Sequence, residues 1–143
     1  MKPTLWLAFA AALFGRPAHA NDDDASTPYA QVRTAIDEMT EMIDDQARII
    51  KKRKGRSRGP SVECMEEHHA AIEALLQLAE TQRSELVEAM AANNTRAVNN
   101  AHRSVMLWRF KAGGHDDSFA ACPSQQEYEF QKDLEKIDAP LEK

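Results

Sequence analysis

Five histidines, two cysteines and one dense run of basic residues are the side chains of this 143-residue sequence best equipped for chemistry. Glu66-Glu67-His68-His69 and His115-Asp116-Asp117 each set imidazole beside carboxylate. That is the donor set that zinc, copper or nickel accepts. Neighbouring helical residues diverge by about 100°, so His68 and His69 do not readily reach one ion together. One of them, with His115 and Asp116 or Asp117, could form a three-ligand site, which makes His68, His69, His115 and Asp116 the candidate metal ligands. The plain alternative is that His69 is a half-buried core residue and the others are surface polar groups. Met39, Met42 and His102 offer a second, softer set that copper or haem could use. No C-x-x-C-H attachment site accompanies them, and methionine on an apolar stripe usually fills core. The sequence therefore calls for no cofactor beyond a possible metal ion.

Cys64 and Cys122 lack the C-x-x-C spacing of a redox-active pair. Two cysteines are also too few for a four-cysteine zinc site or a disulfide-dense scaffold. In an oxidising compartment they are expected to form one structural bridge, Cys64–Cys122. Lys51, Lys52, Arg53, Lys54, Arg56 and Arg58 place six positive charges within eight residues. Such a cluster attracts an anionic partner, whether a polyanion, an acidic protein face or a phosphate-bearing surface. The bland reading is a solvated connector. No G-x-S-x-G, P-loop, dinucleotide fingerprint or H-E-x-x-H occurs, and bridged cysteines supply no thiol nucleophile. The expectation is a binding protein and not an enzyme.

These residues need elements to position them, and the first twenty belong to none. Lys2, the apolar run Leu5 to Phe14, the break Gly15-Arg16-Pro17 and Ala18-His19-Ala20 together read as a cleaved signal peptide over 1–20. The apolar run is far short of the roughly 20 residues a spanning helix needs. The mature protein is thus expected to be periplasmic or extracellular, with no transmembrane segment. Cleavage removes Lys2 and Arg16 and no acid, which leaves 16 basic and 23 acidic residues and a formal charge of −7. That balance argues against general nucleic-acid binding.

Residues 21–26, with Asp22-Asp23-Asp24, read as a disordered acidic leader to one helical domain over 27–143. Thr27-Pro28 opens the first helix, with a hydroxyl cap and proline at the first position. Tyr29, Val32, Ile36, Met39, Ile43, Ala47 and Ile50 then recur on one face to about residue 52. Ser61 caps a second helix with the stripe Met65, His69, Ile72, Leu76, Ala79, Leu86 and Met90, reaching about residue 92. Asn93-Asn94 marks a tight turn, the alternative being one bent rod, before a third helix carrying Val98, Ala101, Val105, Trp108 and Ala112. Gly113-Gly114 is expected to end it, leaving His115–Ser118 as a loop. Ser124 and Glu127 form a capping box for a fourth helix presenting Phe130, Leu134, Ile137 and Leu141.

The fold class is therefore all-α, an up-down-up-down four-helix bundle with one disulfide. In that topology the basic loop, the histidine pairs and the bridge share one end. The leading functional expectation is a small exported adaptor, inhibitor or accessory subunit that binds an envelope partner through the basic loop. The alternative is a metal-binding bundle.

Overall fold

A computed structural model describes residues 26–138, and within them the chain is all-α, with four helices and no strand. The signal segment, most of the acidic leader and Leu141 lie outside the described residues. Helix α1 spans Pro28–Lys54, α2 Val62–Ala91, α3 Thr95–Ala120 and α4 Gln125–Asp138. No described helix is long and apolar enough to cross a membrane.

Each helix starts where a side chain meets an otherwise unpaired backbone N–H. Thr27 Oγ1 accepts from Ala30 N at 3.1 Å with Pro28 following it, and Ser61 Oγ accepts from Cys64 N at 3.0 Å. Asn94 Oδ1 accepts from Ala97 N at 3.1 Å, and Ser124 Oγ from Glu127 N at 3.3 Å. Such caps are each worth about 1 kcal/mol. Between α2 and α3, Asn93 takes a left-handed φ of 55°. Asn94 N then bonds back to Ala89 O at 2.9 Å and closes the end of α2. The turn read at Asn93-Asn94 is thus present, and α2 and α3 are separate helices.

The expected stop at Gly113-Gly114 does not occur. Helix α3 passes through both glycines to Ala120, so His115, Asp116 and Asp117 stand on a helix and not in a loop. Glycine weakens a helix interior by about 1 kcal/mol relative to alanine but does not forbid it. Here the flanking Ala112 and Phe119 are both buried, and their packing holds the helix together across the weak point.

The main core lies among α1, α2 and α3. Val32, Ala35, Ile36 and Met39 meet Ile72, Ala79 and Leu86, and Ala101, Val105 and Ala112 complete it. The alanines leave room for close helix approach, and the larger residues fill what remains. Cross-helix pairs order the three rods. Gln31 meets His102, Glu38 meets Arg109 and Gln46 meets Asp116, so numbers rise together along α1 and α3. Between α1 and α2 they run oppositely, Gln46 meeting His69 and Lys54 meeting Glu66.

Helix α4 departs from the expected fourth rod. Among the described helices its backbone comes close to α2 alone. Its stripe of Phe130, Leu134 and Ile137 faces solvent, with Ile137 64% exposed. It attaches instead by Tyr128, which is buried in a smaller cluster with Ile50, Cys64, Met65, Phe119 and Cys122. Short helices with a broad polar surface dock by what they can anchor, and here the anchor is one aromatic ring. Met90 is likewise exposed and Ala89 buried, a shift of one residue in the last turn of α2.

Candidate functional site

The smaller cluster and the polar residues around it form the candidate site. Its foundation is Ser61, fully buried before the first turn of α2. Ser61 N donates to Pro123 O at 2.6 Å, and its hydroxyl donates to Gln125 Oε1 while capping Cys64 N. One residue therefore ties the start of α2 to the segment that opens α4. Cys64 follows one turn in, and it is bridged to Cys122 with Cα atoms 6.0 Å apart. The disulfide is where the sequence placed it.

His68 lies one turn beyond Cys64 on the same face of α2, because residues i and i+4 stack on a helix. His115 lies seven residues before Cys122, on the part of α3 that was expected to be loop. The two imidazoles meet, Nδ1 to Nδ1 at 3.0 Å, with ring centroids 5.3 Å apart and planes at 46°. One nitrogen must bring the proton and the other the lone pair, so the contact is lost if both rings are cationic. Burial holds the His68 pKa below its ordinary value. The nearby His115 lowers it further, and the charge of Glu67 opposes both.

An acidic edge clamps α4 beside this pair. Tyr128 Oη donates to Glu67, and Lys132 Nζ lies 3.4 Å from Glu67 Oε2, 3.5 Å from Glu63 Oε2 and 5.0 Å from the centre of the Tyr128 ring. The Tyr128 hydroxyl, and to a smaller degree Lys132, holds the Glu67 carboxyl below its ordinary range. Burial, reinforced by Glu67, pushes the Tyr128 phenol up. Bonding to Tyr128 and then Glu67 raises the Lys132 ammonium. The acids at the start of α2 thus hold α4 as well as favouring the helix N-terminus.

His69 and Asp116 do not join the imidazole pair. Gln46, 1% exposed in the middle of α1, takes both of them. Its Oε1 contacts His69 Nδ1 at 3.0 Å and its Nε2 donates to Asp116 Oδ1 at 2.9 Å. His69 Nε2 also sits 3.7 Å from Glu73 Oε2. This polar bridge pins α2 and α3 to α1 between the two apolar clusters. Of the four metal ligands read from the sequence, the structure brings together His68 and His115 alone. Among the described residues, one donor atom each from Cys64, His68 and Cys122 also fall within 4.8 Å of one another. The softer set is dispersed: Met39 is sealed in the main core, Met42 lies at its margin, and His102 Nε2 is engaged by Gln31 Oε1 at 2.6 Å.

The six basic residues divide by role. Lys51, Lys52, Arg53 and Lys54 are the last turn of α1, where positive charge suits the helix dipole. Arg53 is a staple: its guanidinium donates to Pro60 O and Arg56 O and so closes the loop on itself. Lys54 pairs with Glu66 at 2.8 Å. Lys51, Lys52, Arg56 and Arg58 are exposed and have no ion-pair partner among the described residues.

Sequence reasoning missed Gln46, Tyr128 and Lys132. Gln46 could have been found, for it stands seven residues after Met39 and four before Ile50 on the apolar face of α1. A polar residue in phase with a buried stripe signals a buried hydrogen-bonding bridge. Comparison with known protein families, characterised proteins and solved structures finds no match to this chain, so the site is read from its own residues.

Proposed function

We propose that the chain is a small exported, non-enzymatic helical protein that binds an anionic partner in the cell envelope. In this reading its four helices alternate up-down-up-down, and the basic end beside the disulfide is the binding face. The observation that carries it is the set Lys51, Lys52, Arg56 and Arg58, four exposed cations without ion-pair partners among the described residues, two in the last turn of α1 and two on the loop that Arg53 fixes. Like charges repel, so gathering them in a chain of net negative charge costs stability that an anionic partner would recover. The signal-like residues 1–20 support export.

The test replaces Lys51, Lys52, Arg56 and Arg58 with serine and keeps Arg53 and Lys54, which have structural partners. Thermal stability should fall only modestly, since the exposed loop charges Arg56 and Arg58 contribute within about 0.5 kcal/mol each and Lys51 and Lys52 lose only a surface interaction of about 0.3–1 kcal/mol each with the helix C-terminus. Capture of envelope components should fall sharply. Capture by the wild type should also weaken with salt, because the Debye length shrinks from about 10 Å at 0.1 M to about 3 Å at 1 M. Equal capture by both proteins at both salt concentrations would refute the proposal.

The 3.0 Å contact of His68 with His115 favours a second reading, in which the pair binds copper, zinc or nickel. Binding should then disappear in His68→Ala and His115→Ala and leave the salt-dependent capture untouched.

A further inference from the structure

We infer that the Cys64–Cys122 disulfide masks a thiolate–imidazole metal site, in which Cys64, His68 and Cys122, with His115 as fourth donor, hold a zinc or copper(I) ion once the bridge is reduced. The inference deepens the metal reading of the His68–His115 pair and rests on it for the imidazole half of the site.

The two halves are paired by spacing. Cys64 and His68 lie one turn apart on α2, while His115 stands in the last turns of α3 and Cys122 two residues beyond its end. The bridge brings Cys64 to Cys122, and one turn along α2 the imidazole contact brings His68 to His115, so His68 links the two pairs, close to both sulfurs on one side and to His115 on the other. Tetrahedral zinc, with bonds of about 2.0–2.1 Å to nitrogen and 2.3 Å to sulfur, sets its nitrogen donors about 3.3 Å apart and its sulfurs about 3.8 Å apart. The imidazole nitrogens stand 3.0 Å apart, close to the first separation. One donor atom of His68 and both sulfurs lie within 4.8 Å of one another, and the cysteine Cα atoms are 6.0 Å apart. The site therefore requires His115 and the freed thiolates to rotate toward the His68 nitrogen, with the helices left in place. Two thiolates with two imidazoles form a set that soft and borderline ions prefer.

Closed, the bridge offers no thiolate, and its sulfurs are weak ligands. Opening it takes two electrons from a dithiol reductant. A reductant thiolate attacks one sulfur of the bridge, forms a mixed disulfide and expels the other cysteine as thiolate. The second reductant thiol then attacks the mixed disulfide, releases the second cysteine and leaves as a cyclic disulfide. The metal ion binds both cysteines as thiolates, and the two thiol protons pass to solvent. The burial of Cys64 and Cys122 makes this slow in the closed protein. The cover includes the Tyr128 ring, on a helix whose backbone approaches α2 alone among the described helices.

The experiment titrates Co2+, then Zn2+, into the anaerobic mature protein in oxidised and phosphine-reduced forms, following absorbance and helicity. Reduced protein should bind one Co2+ with sulfur-to-cobalt charge-transfer absorption, and Zn2+ should displace it. Oxidised protein should bind at least 100-fold more weakly and show no such band. His68→Ala, with its bridge and helicity checked by thiol titration and ellipticity, should in its reduced form lose at least tenfold in affinity. If reduction melts the helices, one equivalent of Co2+ should restore them, and failure to restore them would overturn the inference. Equal binding by the oxidised and reduced forms without the sulfur band would overturn it too, while sparing the histidine-pair reading. Absence of binding by either form would end both.

Discussion

Replacing both bridge cysteines, Cys64→Ala with Cys122→Ala, should destabilise the protein by about 4 kcal/mol. The bridge joins residues 58 apart. Closing a loop of that length removes roughly 14 cal/mol/K of entropy from the unfolded chain, or about 4 kcal/mol at 25 °C. The native side of the balance changes less, because Ser61 still ties Pro123 and Gln125 to the start of α2 by its own hydrogen bonds. The alanines also leave small voids, so reduced wild type is the cleaner comparison and isolates the cross-link. Urea unfolding followed by helical ellipticity measures the effect. With a slope of about 1–2 kcal/mol/M for a small domain, the midpoint should fall by about 2–4 M. The slope itself should rise on reduction, because an unbridged chain expands further when unfolded. A change below about 1 kcal/mol, with the slope unaltered, would refute the argument. It would mean that the unfolded chain already holds residues 64 and 122 close without the bond.

Gly114→Ala should raise stability by about 0.8–1 kcal/mol, seen as a higher melting temperature, because the residue lies inside α3 and an added Cβ meets no atom within 4 Å. Destabilisation would show that the chain bends there, as the sequence alone suggests. Lowering the pH should destabilise metal-free protein through His68. Its folded pKa lies below the ordinary 6.5, through burial first and His115 second, so the folded state binds fewer protons than the unfolded chain between those two values. Its contribution is therefore complete above pH 6.5 and is lost as the pH falls through the folded value. Melting temperatures measured across that window should decline in wild type and flatten in His68→Gln; an unchanged slope would sink the assignment.

The long helices were legible because their signals are local. Thr27-Pro28, Ser61, Asn94 and Ser124 each satisfy backbone donors within three residues, and Val32, Ile36 and Met39 mark the buried face of α1 by period alone. The end of α3 was not legible for the opposite reason. Gly113-Gly114 is a strong local stop signal, and what overrides it is burial of Ala112 on one side and Phe119 on the other, which depends on helices far away in sequence. Helix α4 failed in the reverse sense. Phe130, Leu134 and Ile137 form a stripe with correct helical spacing, yet they remain exposed while Tyr128 makes the attachment. Periodicity shows that a helix has an apolar face; it does not show that anything covers it.

The misread end of α3 also hid the imidazole pair. With His115 placed in a loop, its distance from Cys122 carried no directional meaning, and His69 and Asp116 looked as suitable as His68. Continuing α3 to Ala120 gives the five residues from His115 to Ala120 nearly one and a half helical turns and leaves Cys122 two residues beyond the end. The four from Cys64 to His68 then make about one turn on α2. Where these two helices face each other, numbers rise along one as they fall along the other, as the pairs Cys64–Cys122 and His68–His115 show. The bridge therefore fixes the register, and the register selects the histidine. Only the residue one turn from Cys64 returns toward α3, and its neighbour His69 turns to Gln46 on α1. The correct pair was readable in principle from the bridge and the helix period together, provided that two glycines were not taken as the end of a helix.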